Sequence, residues 1–240
     1  MGYGSFGKKY YKNLVNNKNF VLKAIFRKKK YSSIKFKSLS KKEIINNNID
    51  CAIVCTPVET HYKIAKLLIE NKIPIILEKP AANNLSQIQK LELLSSKYKS
   101  SVIVNYSDLF NENLNFLIQN KNKIGKFLFY EAIFGKFSNK YTFNFLPYQD
   151  WIVHPLAIIN KFSRKFFKLS IISNKLKTKN KSNYQEIIFN LKDKNKIVGR
   201  VYYSNMIKKK SRRIKIFGDK GILSYDGYYY KKNYIKRLKK

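Results

Sequence analysis

Disulfides, histidine clusters, membrane spans and acid are all scarce or missing in this chain of 240 residues. Its two cysteines rule out a disulfide scaffold. Both lie in Cys51-Ala52-Ile53-Val54-Cys55. On a strand, four residues separate them by roughly 13 Å, too far for a bridge. The C-x-x-C spacing of a metal site is absent too, so no metal is expected and both read as small buried apolar residues. No run of about 18 uncharged apolar residues occurs, so no membrane helix is expected. The N-terminus lacks the basic, apolar, small-residue layout of a signal peptide. The expected location is the cytoplasm.

Acid is the largest deficit. Asp and Glu total 14 against 50 Lys and Arg, a net charge of +36. Such a charge suits nucleic acid or an anionic surface. However, the lysines spread along the chain instead of clustering on one element, and Arg, the better phosphate ligand, is scarce. Heavy use of Lys, Asn and Ile is what an A+T-rich genome gives. Neither a specific nucleic acid nor a membrane is expected as partner.

What is present is a chain long enough for two domains, with an ordinary apolar share of 44%. It opens on Met1-Gly2-Tyr3-Gly4-Ser5-Phe6-Gly7, a G-x-G-x-x-G spacing. In a dinucleotide-binding loop the first glycine makes a tight turn, the second admits a pyrophosphate, and the third lets helix pack on strand. Gly2, Gly4, Ser5, Phe6 and Gly7 are thus candidate cofactor contacts. Only Met1 precedes the loop where a strand belongs, so the first strand is expected to be missing.

Strands and helices then alternate, implying a parallel α/β sheet. Helices are expected over Lys8–Asn16, Ser40–Asn47 (capped by Ser40), Thr60–Asn71 and Leu85–Lys97. Strands are expected over Phe20–Phe26, Ala52–Cys55, Ile73–Leu77 and Val102–Asn105. After about Tyr106 the pattern changes to one helix, Asn111–Asn120, then longer strands: Lys126–Phe134, Lys168–Leu176, Tyr184–Leu191, Ile197–Asn205 and Arg213–Phe217. One helix, His154–Phe162, interrupts them. The basic, aromatic end reads as a frayed tail or a final strand. The expected fold is α/β: a Rossmann-type parallel sheet over residues 1–106, then an α+β domain with a large, mostly antiparallel open sheet over 107–240.

Several residues could carry chemistry. The strand ending at Phe26-Arg27-Lys28 offers no carboxylate for a ribose, and Arg27 suits the 2′-phosphate of NADP. Glu78-Lys79-Pro80 follows a buried strand, at the end where open parallel sheets bind ligands. Lys79, partly withdrawn from water, can shuttle protons. Alternatively the pair is a solvated turn. Asp150 and His154 are four residues apart, so the carboxylate can orient the imidazole. Asp150 can equally be an N-cap, with Pro155 in the first turn. His61 follows Thr56-Pro57 at a helix start and either faces a cofactor or caps the helix.

Together, GYGSFG (Gly2 to Gly7), DCAIVCTPVETHYKIAKLLIENKIPIILEKP (Asp50 to Pro80), KIGKFLFYEAIFG (Lys123 to Gly135), DWIVHPLAII (Asp150 to Ile159) and RIKIFGDKGILSYDG (Arg213 to Gly227) resemble the Gfo/Idh/MocA family of NAD(P)-dependent oxidoreductases. The resemblance implies hydride transfer between NAD or NADP and a carbinol carbon of a sugar, polyol or sugar derivative. It makes Lys79 and His154 the acid/base candidates with Asp150 beside them. Glu78 is implied near the nicotinamide ribose, with Thr56 and Pro57 along the cofactor. A homo-oligomer, dimer or tetramer, is implied through the open sheet. Three departures stand out. Ile152 replaces a residue that is often small, which is expected to narrow the substrate pocket. The chain ends soon after Gly227, so late strands are expected to be lost. The first strand is absent, which motivates an alternative: a truncated or non-catalytic homologue without cofactor binding.

Overall fold

A computed structural model describes residues 2–25, 48–137, 147–162, 168–177, 183–194, 196–228 and 234–237. It divides into two compact units, Met1–Asn105 and Tyr106–Lys240. The expected helix over Ser40–Asn47, and Arg27 with Lys28, lie outside the described residues.

The N-terminal unit runs α1 (Ser5–Val15), β1 (Ala52–Val54), α2 (Val58–Glu70), β2 (Ile75–Glu78), α3 (Leu85–Tyr98) and β3 (Val102–Asn105). The strands pair in parallel in the order β1-β2-β3. Alternation of strand and helix leaves no other simple pairing, because each helix returns the chain to the same sheet edge. The amphipathic face of α2 puts Ala65, Leu68 and Ile69 against Val54, Ile75 and Leu77, all essentially removed from water. Each such large aliphatic side chain stabilises the unit by about 1.5–3 kcal/mol. Helix α3 starts on Asn84, whose side chain accepts from the Gln87 N–H, while the Gln87 side chain accepts from the Asn83 N–H.

One expected strand is not formed. Residues 20–25 of the Phe20–Phe26 segment are extended but pair with no strand among the described residues. Ile25 is nevertheless buried, and Ala24 packs on the same core. Apolar content brings the segment to the core; only a hydrogen-bonded neighbour makes it a strand.

The second unit opens with two 3-10 turns, Ser107–Phe110 and Lys121–Ile124, flanking α4 (Glu112–Gln119). Asn111 caps α4, its side chain accepting from the Asn113 and Leu114 N–H groups. Then come β4 (Phe127–Gly135), α5 (Pro147–Phe162), β5 (Lys168–Lys177), β6 (Asn183–Asp193), β7 (Lys196–Ser204), β8 (Ser211–Gly218), β9 (Gly221–Asp226) and β10 (Tyr234–Arg237). They form one seven-stranded sheet, β10-β9-β8-β4-β7-β6-β5. All pairs are antiparallel except β4 with β7. The chain thus has a Rossmann-type parallel sheet and a larger, mostly antiparallel one. The tail is a strand where it is described, and β9 is a strand that no sequence run had suggested.

Period-two alternation sorts the residues of the large sheet between its faces. Tyr130 and Phe134 of β4, Ile187 of β6, Val201 of β7 and Ile214 of β8 are buried with Ile158 and Ile159 of α5 in one core. Glu131, Arg200, Arg213 and Lys215 have the opposite parity, and the three basic ones are exposed on the far face. Helix α5 begins seven residues before the expected start at His154. Pro155 therefore lies inside it rather than in its first turn, and Asp150 is not its cap. A proline there removes the donor for the Trp151 carbonyl, while its own carbonyl accepts from the buried Tyr130 hydroxyl at 2.8 Å. Ile152 belongs to this core and is 8% exposed, so it fills the interior instead of narrowing a pocket.

Candidate active site

In the N-terminal unit the candidate residues gather at the carboxyl ends of the parallel strands. Thr56 and Pro57 follow β1, Glu78 ends β2 with Lys79 next, and Asn105 ends β3. The glycine loop runs into α1, with Gly4 as its N-cap. Gly2 has φ +91°, and a Cβ there would stand 2.7 Å from the Cys55 carbonyl oxygen. A Cβ on Gly7 would collide with the Gly2 carbonyl oxygen. The loop therefore folds back on itself and on the end of β1 as only glycine permits. Gly4 differs: nothing lies within 4 Å of where its Cβ would be. That open backbone stands at the first turn of an eleven-residue helix whose leading N–H groups have no helical acceptors. Those N–H groups and that gap suit a pyrophosphate. The residues present therefore fit a dinucleotide.

Glu78 is 6% exposed. Its Oε1 accepts from the Tyr10 hydroxyl at 2.8 Å and from Asn105 Nδ2 at 2.7 Å. Asn105 Nδ2 also reaches the Tyr10 oxygen at 2.6 Å. Burial, then the bond to Glu78, pushes the Tyr10 phenol well above its ordinary pKa, so it remains a donor. The trio ties α1, and with it the glycine loop, to the ends of β2 and β3. Lys79 is half-buried beside it.

His61 is a correction. Its ring, 1% exposed, turns into the unit, with Nδ1 2.9 Å from the Pro80 carbonyl oxygen and Nε2 2.8 Å from that of Thr56. Both ring nitrogens are engaged by backbone, which leaves none for a cofactor. The ring clamps the loop after β1 to the loop after β2. Thr60 adds to the clamp, its hydroxyl lying 2.6 Å from the Thr56 hydroxyl and donating to the Pro57 carbonyl at 2.7 Å.

In the second unit, His154 is 2% exposed on α5. The carboxylate at its Nδ1 belongs to Asp108, in the turn after β3, with Oδ2 at 2.6 Å. The two atoms stand at ion-pair distance, and the pair is a charged one only when the ring is protonated. Asp108 Oδ1 pairs with Arg212 Nη1 of β8 at 2.8 Å. Burial alone would raise the Asp108 pKa, but the His154 ring and the Arg212 guanidinium outweigh it and hold the carboxyl below its ordinary value. Asp150, one turn before His154 on the same helix, is half-buried. Arg212 lies 5.5 Å from the Trp151 ring and 5.9 Å from the Tyr228 ring. Sequence reading missed both Asp108 and Arg212. Asp108 gave no local signal. Arg212 gave a faint one, since it shares strand parity with the buried Ile214 and Ile216.

A glycine loop at a helix N-terminus, facing the carboxyl edge of a parallel sheet, defines a dinucleotide-binding Rossmann unit. Residues 1–106 match the GFO_IDH_MocA family model, described as an oxidoreductase family with an NAD-binding Rossmann fold. The match spans less than half of the chain, and over that span the sequence is similar to this family's. No curated protein matches. Among solved structures the chain is similar to an NAD-binding protein from Listeria innocua (TM-score 0.74, 14% identity, covering 93% of this chain and 68% of that one). It is also similar to the UDP-N-acetylglucosamine 3-dehydrogenase of Acidithiobacillus ferrooxidans (0.68, 15%, 83% and 64%). A third is the biliverdin reductase of Synechocystis, solved with biliverdin and NADP+ (0.66, 18%, 78% and 63%). The chain spans less than two thirds of the length of the latter two. At these identities the likeness is one of fold. Among the described residues no group of His, Cys, Asp and Glu could hold a metal, and no helix is long and apolar enough to cross a membrane.

Proposed function

We propose that this protein is an NAD(P)-dependent dehydrogenase or reductase acting at a carbinol carbon of a sugar, polyol or sugar derivative. The family match over the N-terminal unit supports the redox class. The observation that carries the chemistry is the buried His154 held against a carboxylate that stays ionised. We assign Nδ1, the nitrogen beside Asp108, as the protonated one, and Nε2 as the ring atom that takes or returns a proton. Asp108 stabilises the resulting cation and does not take the proton itself. Lys79 is the second acid/base candidate, with Asp150 supporting.

A bound nicotinamide dinucleotide would supply the two-electron chemistry. The backbone of Gly2, Gly4, Ser5, Phe6 and Gly7 would hold its phosphates. Thr56, Pro57 and Glu78 would lie along it, and Arg27 inclines the choice to NADP. We assign the units accordingly, residues 1–106 to the cofactor and 107–240 to substrate and self-association. The far face of the large sheet, with a cleft of about 320 Å³ between Glu131, Arg213, Lys215 and Tyr234, is the proposed contact with a second copy. The proposed location is the cytoplasm.

One observation favours a second reading, a homologue that does not bind the cofactor: residues 20–25 of the segment expected to present the ribose selector pair with no strand among the described residues. Titrating the purified chain with NADPH and NADH, followed by nucleotide fluorescence, separates the two. Saturable binding of either, with turnover on a polyol panel, supports the first. Binding of neither supports the second.

A further inference from the structure

The end of the large sheet beside His154 concentrates cations around aromatic rings. Lys210 Nζ sits 4.5 Å from the centre of the Tyr228 ring, which Arg212 also approaches at 5.9 Å. Two cations against one ring repel each other. Accordingly burial and the nearby Arg212 lower the Lys210 pKa, with Asp108 opposing. Lys136, just past β4, acts on Tyr228 as well. Two carboxylates face this group, Asp108 and Asp226. Asp108 is committed to His154 and Arg212. Asp226 accepts from the Tyr228 N–H. Three cations thus stand against two carboxylates that already have partners. Of the five N–H donors a guanidinium carries, one of Arg212's is spent on Asp108, and its buried Nε–H has no acceptor among the described residues. Neither packing nor solubility requires this arrangement: an exposed lysine in a chain of +36 gains nothing by being held near a second cation.

We propose that Lys210 and Arg212, held against the Tyr228 and Trp151 rings one carboxylate away from His154, form a subsite for an oxyanion, a carboxylate or phosphate, carried by the substrate. The subsite rests on the oxidoreductase reading and narrows it from any polyol to an anionic one. Arg212 offers a fixed fork and Lys210 a mobile point charge, a pairing suited to either oxyanion. The rings hold both cations against their faces, and Arg212, the half-buried one, is partly shielded from water, where an anion is bound more strongly than in bulk solvent.

Trp151 is the chain's single tryptophan, so its fluorescence reports on this cluster. The test titrates the full chain, at constant ionic strength, with D-gluconate, D-glucose 6-phosphate and neutral sorbitol. The expected result is a saturable change with at least one of the two anions and none with sorbitol. The anion that gives it identifies the carboxylate or the phosphate source. Lys210→Gln should weaken the response about tenfold, or about 1.4 kcal/mol, and Lys210→Arg should retain it. Lys90→Gln, which removes the same charge from an exposed position of α3, should leave it unchanged. The proposal is overturned if sorbitol titrates like the anions, if neither anion saturates, or if Lys90→Gln weakens binding as much as Lys210→Gln. NADPH binding, read separately from nucleotide fluorescence, distinguishes the two failures. Nucleotide binding without an anion response overturns the subsite alone. An anion response without nucleotide binding supports the subsite and overturns the oxidoreductase reading.

Discussion

The chain's two histidines are buried alike, His61 at 1% and His154 at 2% exposure, yet their surroundings differ in kind. His61 spans two neutral backbone carbonyls, so whichever nitrogen carries a proton finds an acceptor. His154 meets a carboxylate that a guanidinium also holds. The first arrangement fixes two loops. The second fixes a charge next to an ionisable ring. Burial does not separate these two histidines, whereas the charge of the partner does.

The largest expected effect comes from removing the ring that faces the charge. His154→Gln should lower turnover by about 10²- to 10⁴-fold, the usual worth of a positioned acid/base, while retaining NADPH binding. If His61→Gln lowers turnover as much while leaving stability intact, the distinction between the two sites is wrong.

Asp108→Ala should have the largest effect on stability. It leaves Arg212 and His154 without their counter-charge, and breaking a buried pair in this way costs about 3–5 kcal/mol. Urea unfolding measures it. The pH dependence has a definite sign. The folded pKa of Asp108 lies below its unfolded value, so its contribution is complete above about pH 4 and is lost as pH falls through the folded pKa. The wild type should therefore lose stability relative to Asp108→Asn below pH 4. Parallel curves for the two proteins would remove Asp108 from the account.

How much of this was legible in the sequence differs between the sites. His61 and its partners lie within the segment Thr56 to Pro80, and the Thr-Pro…His…Glu-Lys-Pro spacing announced the whole cluster, though not which way the ring turns. His154 was equally visible, but Asp150 stood four residues away and looked like its partner. The carboxylate found at Nδ1 comes from a turn far upstream, a pairing that no local period encodes. Pro155 misled in the same place, because a proline usually marks a first turn and here sits inside α5. Strand β3 was read correctly to the residue, since VIVN is a short apolar run between helices. Strand β9 was missed because it is only six residues long, GILSYD, and opens on a glycine, so it offers no long apolar run. The fold class was legible because it depends on alternation summed over many residues. The charge constellation was not, because it depends on three residues brought together by tertiary structure.

His61→Ala should cost about 2–4 kcal/mol in urea unfolding, since a part-buried carbonyl loses the donor that a neutral ring supplies and a cavity remains. His154→Gln should cost less, because Arg212 still holds Asp108. Reversal of that order would mean that His61 is not the clamp described here.

The smallest expected effect sharpens the comparison most, because the unit that holds His61 also contains a buried carboxylate. Glu78 is as buried as Asp108, at 6% exposure each. The partners found at Glu78 are the neutral donors Tyr10 and Asn105, whereas those at Asp108 are a cation and an ionisable ring. If partner charge is what matters, Tyr10→Phe should cost only about 1 kcal/mol, the net worth of one neutral-donor hydrogen bond, because Asn105 remains on the same oxygen. The pH signature differs as well. The Tyr10 pKa is raised in the folded chain, so its contribution is complete below the unfolded value near 10 and is lost as pH rises towards the folded one. Wild type and Tyr10→Phe should therefore converge in stability above about pH 10, at the opposite end of the scale from Asp108. A cost as large as that of Asp108→Ala, with no convergence in alkali, would mean that burial of a carboxylate by itself sets the energy and that the charge of its partners does not.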